Sequence, residues 1–244
     1  MRRRNGLKKG ILSLIASVQI IGLTTVCAEG KPESVIADIN RMAFGIPAPE
    51  LVGWGEYRNA GFVSYDLNNN WTGTTVYGIQ FYSQKDERWA NMNVGTGGRI
   101  AATGCVPTCA AMILSKLGYN KTPYEMAYMF NEWGHYNADY GHGTDTGVWR
   151  EFCEAYNMTF QNEMTAEDIK TALAEGKLVV GILDIGKKWT HCCLFAGLDS
   201  DGYTTVYDPL GSIYREKVDD IYAKGSPDEE DHIDGGPFIA MGVE

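Results

Sequence analysis

A thiol attacks a carbonyl as its thiolate, so a cysteine that does chemistry needs a reason to lose its proton. Cys105 has one available. It sits in the stretch TGCVPTCAA (residues 103–111), where a Gly-rich loop gives way to an apolar, Ala-rich run. A cysteine at a helix N-terminus faces unpaired N–H groups and the positive end of the macrodipole, and both lower its pKa. Gly104 permits a tight approach, and Pro107 falls in the first helical turn, where a missing N–H costs no hydrogen bond. The N–H of Cys105 would point into the same space and could stabilise a developing oxyanion. Residue type alone favours a plainer reading, a small core residue that happens to begin a helix. The neighbours must decide.

A nucleophilic thiolate needs a base. Of the four histidines, His135 and His142 lie with Asp139 and Asp145 in a polar stretch. Their spacing fits neither a helix face nor a known ligand loop, so it reads as a surface loop rather than a metal site. His232 follows the acidic run Asp228–Asp231 and reads as a solvated edge. His191 alone begins an apolar strand, followed by the turn signal Asp199-Ser200-Asp201-Gly202 and a second strand, Tyr203–Tyr207. If those four turn residues close a hairpin, Leu198 faces Tyr203 and Cys193 lies opposite Asp208. His191 then shares a face with Cys193 and is diagonal to Asp208, ~7–8 Å away at the backbone and within side-chain reach. Asp208 can hold the imidazole in the right tautomer and stabilise its cation. A slip of one residue would turn the two side chains to opposite faces. Pro209 ends the strand and leaves Asp208 at a rim.

The elements that must position these residues are legible in part. Val76–Tyr82 (VYGIQFY) reads as a strand, and residues 105–117 place Cys109, Met112, Ile113 and Leu117 at helical spacing. Thr122-Pro123-Tyr124-Glu125 is a capping box that opens a helix to about Trp133, and Thr165–Asp168 is a second such start for a helix that stops at Gly176. Residues 147–157 put Val148, Phe152 and Tyr156 on one helical face. After Gly176 the period becomes extended: Leu178–Leu183 reads as a buried strand, and His191–Leu198 and Tyr203–Tyr207 as a hairpin. Helices first and antiparallel strands second predict an α+β domain over residues 76–244.

The first 28 residues are set apart. Five basic residues within the first nine, an apolar run over 11–26 and Val26-Cys27-Ala28 describe a secretory signal peptide cleaved after Ala28. A lipoprotein anchored through Cys27 is the weaker reading, and the run is too short and too interrupted for a stable transmembrane helix. Residues 29–75 are rich in Gly, Pro and Asn and read as an N-terminal arm, linker or prosegment. Removing the leader leaves 16 Lys+Arg against 31 Asp+Glu, a net charge of −15, which argues against nucleic acid and anionic membranes as partners. The mature protein is expected outside the cell, without stable membrane insertion. Five cysteines remain, an odd number whose spacing matches no zinc pattern, so no metal or cofactor is called for and at least one free thiol is expected. Cys109, Cys153 and Cys192 read as core positions. Trp189 reads equally as a cleft wall, shielding the His–Asp bond, or as ordinary core.

Four islands together resemble a family: Ser83–Trp89 (SQKDERW), Gly104-Cys105-Val106-Pro107-Thr108, Trp189-Thr190-His191 and Tyr207-Asp208-Pro209. In this order they are similar to the bacterial cysteine peptidases related to the bacteriocin-leader-processing proteases, over roughly residues 77–212. The resemblance implies a papain-like fold, with a helical part carrying the nucleophile packed on an antiparallel sheet that carries His and Asp. It implies Cys105 as nucleophile, His191 as general base and then acid, Asp208 as its orienting partner, and Gln84 as side-chain donor to the oxyanion hole. The substrate it implies is a peptide or protein. No transporter segments follow, so export coupled to leader cleavage is not expected, and Cys192-Cys193 stand where bulkier β-branched residues would be expected after the histidine. Two other readings stand beside the peptidase: a cell-wall-directed amidase or transpeptidase using the same triad on cell-wall peptide, and a non-catalytic secreted binding module.

Overall fold

In the computed structural model the described residues are 75–138, 143–186, 189–232 and 235–243. The stretches read as signal peptide and, up to residue 74, as N-terminal arm lie outside them, as do Asp139 and His142. The first described feature corrects the strand expected at Val76–Tyr82. Tyr77 and Gly78 both take positive φ, 52° and 74°, and fold the segment into a tight hairpin of β1 (Thr75–Val76) and β2 (Ile79–Gln80). Two consecutive positive φ values turn the chain back on itself with the twist that paired strands require, and Gly78 makes the second of them free of strain.

A second short hairpin, β3 (Asn93–Val94) with β4 (Gly98–Arg99), leads into a single helical turn, α1 (Ile100–Thr103), and then into α2 (Cys105–Lys116). Val106 through Leu114 are all buried, so α2 is a central helix rather than an amphipathic surface one, as its unbroken apolar run requires. Helix α3 (Pro123–Glu132) begins as its sequence dictates: the Glu125 N–H donates to Thr122 Oγ1 at 3.2 Å and the Thr122 N–H to the Glu125 carboxylate at 2.8 Å. A third small hairpin, β5 (Tyr136–Asn137) with β6 (Gly143–Thr144), precedes α4 (Val148–Ala155). Strand β7 (Met158–Gln161) is followed by α5 (Ala166–Ala174), which carries the same reciprocal cap between Thr165 and Asp168.

The second half supplies β8 (Leu178–Asp184), β9 (Thr190–Ala196), β10 (Tyr203–Asp208), β11 (Ser212–Lys217), α6 (Val218–Tyr222) and β12 (Phe238–Val243). With β7 the five strands make one antiparallel sheet of order β11-β10-β9-β8-β12-β7. β12 is inserted between β8 and β7, so its pairing partners are distant in sequence. Alternate residues serve the two faces. Val180, Ile182, Cys192, Leu194 and Ile239 join the core built with α2, α3 and α4. Val179, Leu183, Cys193, Phe195 and Val206 join a second core with Ile169 and Leu173 of α5 and Val218 and Ile221 of α6. Helices thus cover both faces, and the near-continuous apolar run of β8 follows from that.

Gly181, mid-strand in β8, marks the tightest point of the second core. A Cβ there would meet the Phe238 ring at 2.6 Å and the Phe195 ring at 2.8 Å. The rings flank the position from both neighbouring strands, and both are buried. Gly181→Val is therefore expected to lower unfolding free energy by about 1–3 kcal/mol, the usual cost of overpacking. A fall in the urea midpoint at unchanged slope checks it.

Candidate functional site

Cys105 is the first residue of α2, and the turn that delivers it closes around a glycine. A Cβ on Gly104 would lie 2.6 Å from the Ile100 carbonyl oxygen and 2.7 Å from its Cγ2, so only glycine lets α1 run into α2 this closely. The Gly104 carbonyl is secured by the Thr108 N–H at 3.0 Å and Thr108 Oγ1–H at 2.6 Å. Cys105 remains partly exposed, while Cys109 one turn on is fully buried. The backbone N–H groups of Val106, at the open end of the helix, and of Cys192 in β9 favour the thiolate form of Cys105. The Cys109 thiol donates to the Cys192 carbonyl at 3.6 Å, which seats the N-terminus of α2 against the start of β9.

The hairpin has the register expected from its turn. The Gly202 N–H donates to the Asp199 carbonyl at 3.1 Å, and the Asp199 carboxylate accepts the N–H groups of Asp201 and Tyr203, each at 2.9 Å. Arg215 pairs with the same carboxylate. Ala196 then opposes Thr205, Phe195 opposes Val206 and Leu194 opposes Tyr207, and this register brings Cys193 to Asp208. His191, 6 % exposed, has its Nε2 at 2.7 Å from Asp208 Oδ1. The same oxygen accepts the Leu210 N–H at 2.8 Å, which fixes the carboxylate at the rim formed by Pro209.

These contacts set the charges. Burial alone would push the Cys105 thiol up, but its hydrogen bond to His191, the charge of that ring and the two N–H groups outweigh burial and hold it below its ordinary value. Burial likewise opposes a charged His191, and the hydrogen bonds to Asp208, Cys105 and Cys193 overcome it, raising the ring well above the usual histidine range. Both shifts favour one state, a thiolate beside an imidazolium held by a carboxylate. That state can attack a carbonyl carbon and then hand a proton to the departing amine.

Gln84 reaches the site from the segment before α1. Its backbone N–H donates to the Pro209 carbonyl at 2.9 Å, next to Asp208, and its Nε2 donates to the Ala101 carbonyl at 3.0 Å, four residues before Cys105. The Ala101 carbonyl fixes which end of the amide is nitrogen, since the oxygen would oppose it there; Oε1 is buried without a hydrogen-bond partner, and Nε2 carries a second N–H. Ser83 Oγ donates to the Pro209 carbonyl at 3.2 Å, and Trp89 Nε1 to the Ser83 carbonyl at 2.8 Å. The stretch Ser83–Trp89 is thus stitched to the rim that carries Asp208.

The other sequence readings fare unevenly. Cys109, Cys153 and Cys192 are buried, and Cys192 faces α2, away from His191. Trp189 is 66 % exposed, so the core reading fails for it; it lies in the turn that joins β8 to β9, beyond the last strand pair, Asp184 with Thr190. Asp145 is buried rather than part of an exposed loop. It lies 2.8 Å from His135 Nδ1, and Glu151 lies 3.2 Å from Nε2, so His135 ties β5 to α4. His232 is exposed as expected, with Nε2 2.8 Å from the Ser226 carbonyl oxygen. The grip of Cys109 on the Cys192 backbone carries no sequence signal, because it joins elements 83 residues apart. Among the described residues one group could hold a metal ion: His191, Cys193 and Asp208, whose donor atoms lie within 4.8 Å of one another.

A helix-borne thiol set against histidine and aspartate on an antiparallel sheet is the papain-like α+β arrangement. Residues 76–226, more than half of the chain, match the model of the Peptidase_C39 like family, and the chain belongs to that family of cysteine peptidases. The resemblance read from the four islands is to this same family. Among solved structures, the chain is similar to the peptidase domain of Streptococcus ComA, a bi-functional ABC transporter involved in a quorum-sensing pathway. The identity is 14 % and the TM-score 0.41, over 59 % of this chain and 93 % of that one. No curated protein matches. Among the described residues, no helix is long and apolar enough to cross a membrane.

Proposed function

We propose that the protein is an exported cysteine peptidase that hydrolyses peptide bonds through Cys105, His191 and Asp208, with Gln84 as an oxyanion donor. The observation that carries this reading is the 2.7 Å hydrogen bond between the His191 ring and the Asp208 carboxylate, on a ring whose charge also favours the Cys105 thiolate. The Cys105 thiolate attacks the carbonyl carbon of the scissile amide, forming the C–S bond. The carbonyl electrons move onto oxygen, which accepts from the Cys105 N–H and the second Nε2–H of Gln84. The tetrahedral intermediate collapses as His191 gives its proton to the departing amine nitrogen, leaving a thioester. His191, now neutral, takes a proton from water, the hydroxide equivalent attacks the thioester, and the acid product leaves as thiolate and imidazolium are restored. Export follows from the basic and apolar pattern of residues 1–28.

Incubation with a thiol-directed activity probe, followed by peptide-library profiling, tests the reading. Labelling of Cys105 together with cleavage of a subset of peptides is expected, whereas an unlabelled Cys105 and an uncut library would refute it. Gln84→Ala is expected to lower kcat about 10²–10³-fold with little change in KM, the loss seen when one oxyanion donor is removed. A change confined to KM would assign Gln84 to ground-state binding instead.

A further inference from the structure

Cys193 has no task in the steps above, yet it occupies a commanding place. It is 2 % exposed, follows His191 by two residues on the same face of β9, and hydrogen-bonds to the imidazole. The geometry points to a binding site for a thiophilic divalent cation of the zinc type, formed by His191, Cys193 and Asp208, whose occupation takes the His191 nitrogen that now bonds Asp208 and silences the site.

The donors are one imidazole nitrogen, one sulfur and one carboxylate oxygen, all mutually within 4.8 Å. Zinc bonds of ~2.0–2.3 Å in a tetrahedron need donor separations of roughly 3.3–3.8 Å. The 2.7 Å contact between His191 Nε2 and Asp208 Oδ1 must open by roughly half an ångström, and no other separation must close by more than about 1.5 Å. Side-chain rotation supplies such movements without shifting β9 or β10. The sulfur selects against magnesium and calcium, which take oxygen donors, and in favour of zinc and cobalt(II). Three protein ligands leave a fourth position for water. Asp208, the partly exposed member, gives the way in, and the acidic charge of the chain raises the local concentration of cations. Cys105 is not a ligand in this arrangement, which separates it from simple capture of the nucleophile by metal.

Cobalt(II) is the probe, because thiolate ligation gives it a charge-transfer absorption in the near ultraviolet. In the full chain carrying Cys105→Ala, the band is expected to rise to one equivalent and to be displaced by one equivalent of zinc. Cys105→Ala with Cys193→Ser is expected to show no band. Cys105→Ala with Asp208→Asn is expected to keep the band at an affinity lower by about tenfold or more. Absence of the band in Cys105→Ala overturns the site, since the sulfur is then Cys105. An undiminished band without Cys193 overturns it too, since another thiol is then the ligand. Should Cys193→Ser fail to fold by circular dichroism, the Asp208→Asn affinity decides, and an unchanged value overturns the site. Binding is read without the nucleophile and so stands or falls apart from peptidase activity; only the silencing rests on the peptidase reading.

Discussion

Cys105→Ala is expected to lower kcat/KM for peptide hydrolysis by at least about 10³-fold, and His191→Ala by a similar factor. In the proposed scheme the two residues act as one unit: the charge of the ring favours the thiolate, and the thiolate and Asp208 favour the charged ring. The double variant should therefore be no slower than the worse single one, because neither residue retains a function once the other is gone. The fold should survive the first change. Cys105 is partly exposed at the helix start, at the edge of the core, and Val106 through Leu114 carry the buried contacts of α2. Unaltered circular dichroism and urea midpoint with lost turnover is the expected pattern. Retained turnover in either single variant would remove the scheme.

Asp208→Ala carries the second large effect, a loss of about 10²–10⁴-fold. The carboxylate does three things that alanine cannot: it accepts from His191 at 2.7 Å, accepts from the Leu210 N–H at 2.8 Å, and holds the rim where Pro209 receives Gln84 and Ser83. Asp208→Asn should be milder, roughly tenfold, because an amide oxygen still accepts from the ring while the charge that favours imidazolium is gone. The pH profile separates charge from orientation. The asparagine variant should lose its alkaline limb at lower pH, since a ring less strongly stabilised as a cation gives up its proton earlier. Steady-state profiles of kcat/KM for both variants read this out. Equal rates for wild type and Asp208→Ala would mean that His191 needs no partner.

How much of this was open to the sequence depended on the range of the interaction. Both capped helices could be read at Thr122–Glu125 and Thr165–Asp168, because every atom of a capping box lies within one turn. The pairing that joins His191 to Asp208 followed from Asp199–Gly202, since a four-residue turn dictates register and register dictates face. Long-range insertion was not legible: nothing local says that Phe238–Val243 slips between β8 and β7. The run Val76–Tyr82 misled because its apolar content suits a strand, while Tyr77-Gly78 in its middle suits a turn. Trp189 read equally as cleft wall or core, and its exposure in the β8–β9 turn removes the core reading. The setting of Cys105 lay between these cases. Its helix start and its glycine were visible in TGCVPTCAA, but the hold of Cys192 on Cys105 required two elements to meet.

In the proposed scheme Cys105 is a thiolate held by His191 at pH values where an ordinary cysteine is protonated. Its lowered pKa keeps the thiolate present as pH falls, until pH passes below that lowered value. Alkylation by iodoacetamide at pH 6, with the modified residue located by peptide mapping, measures it directly. Free cysteine is almost wholly thiol there, about 0.3 % thiolate. Cys105 is expected to react at least about tenfold faster than free cysteine, and His191→Ala to remove the advantage. A wild-type rate no greater than that of free cysteine would contradict it.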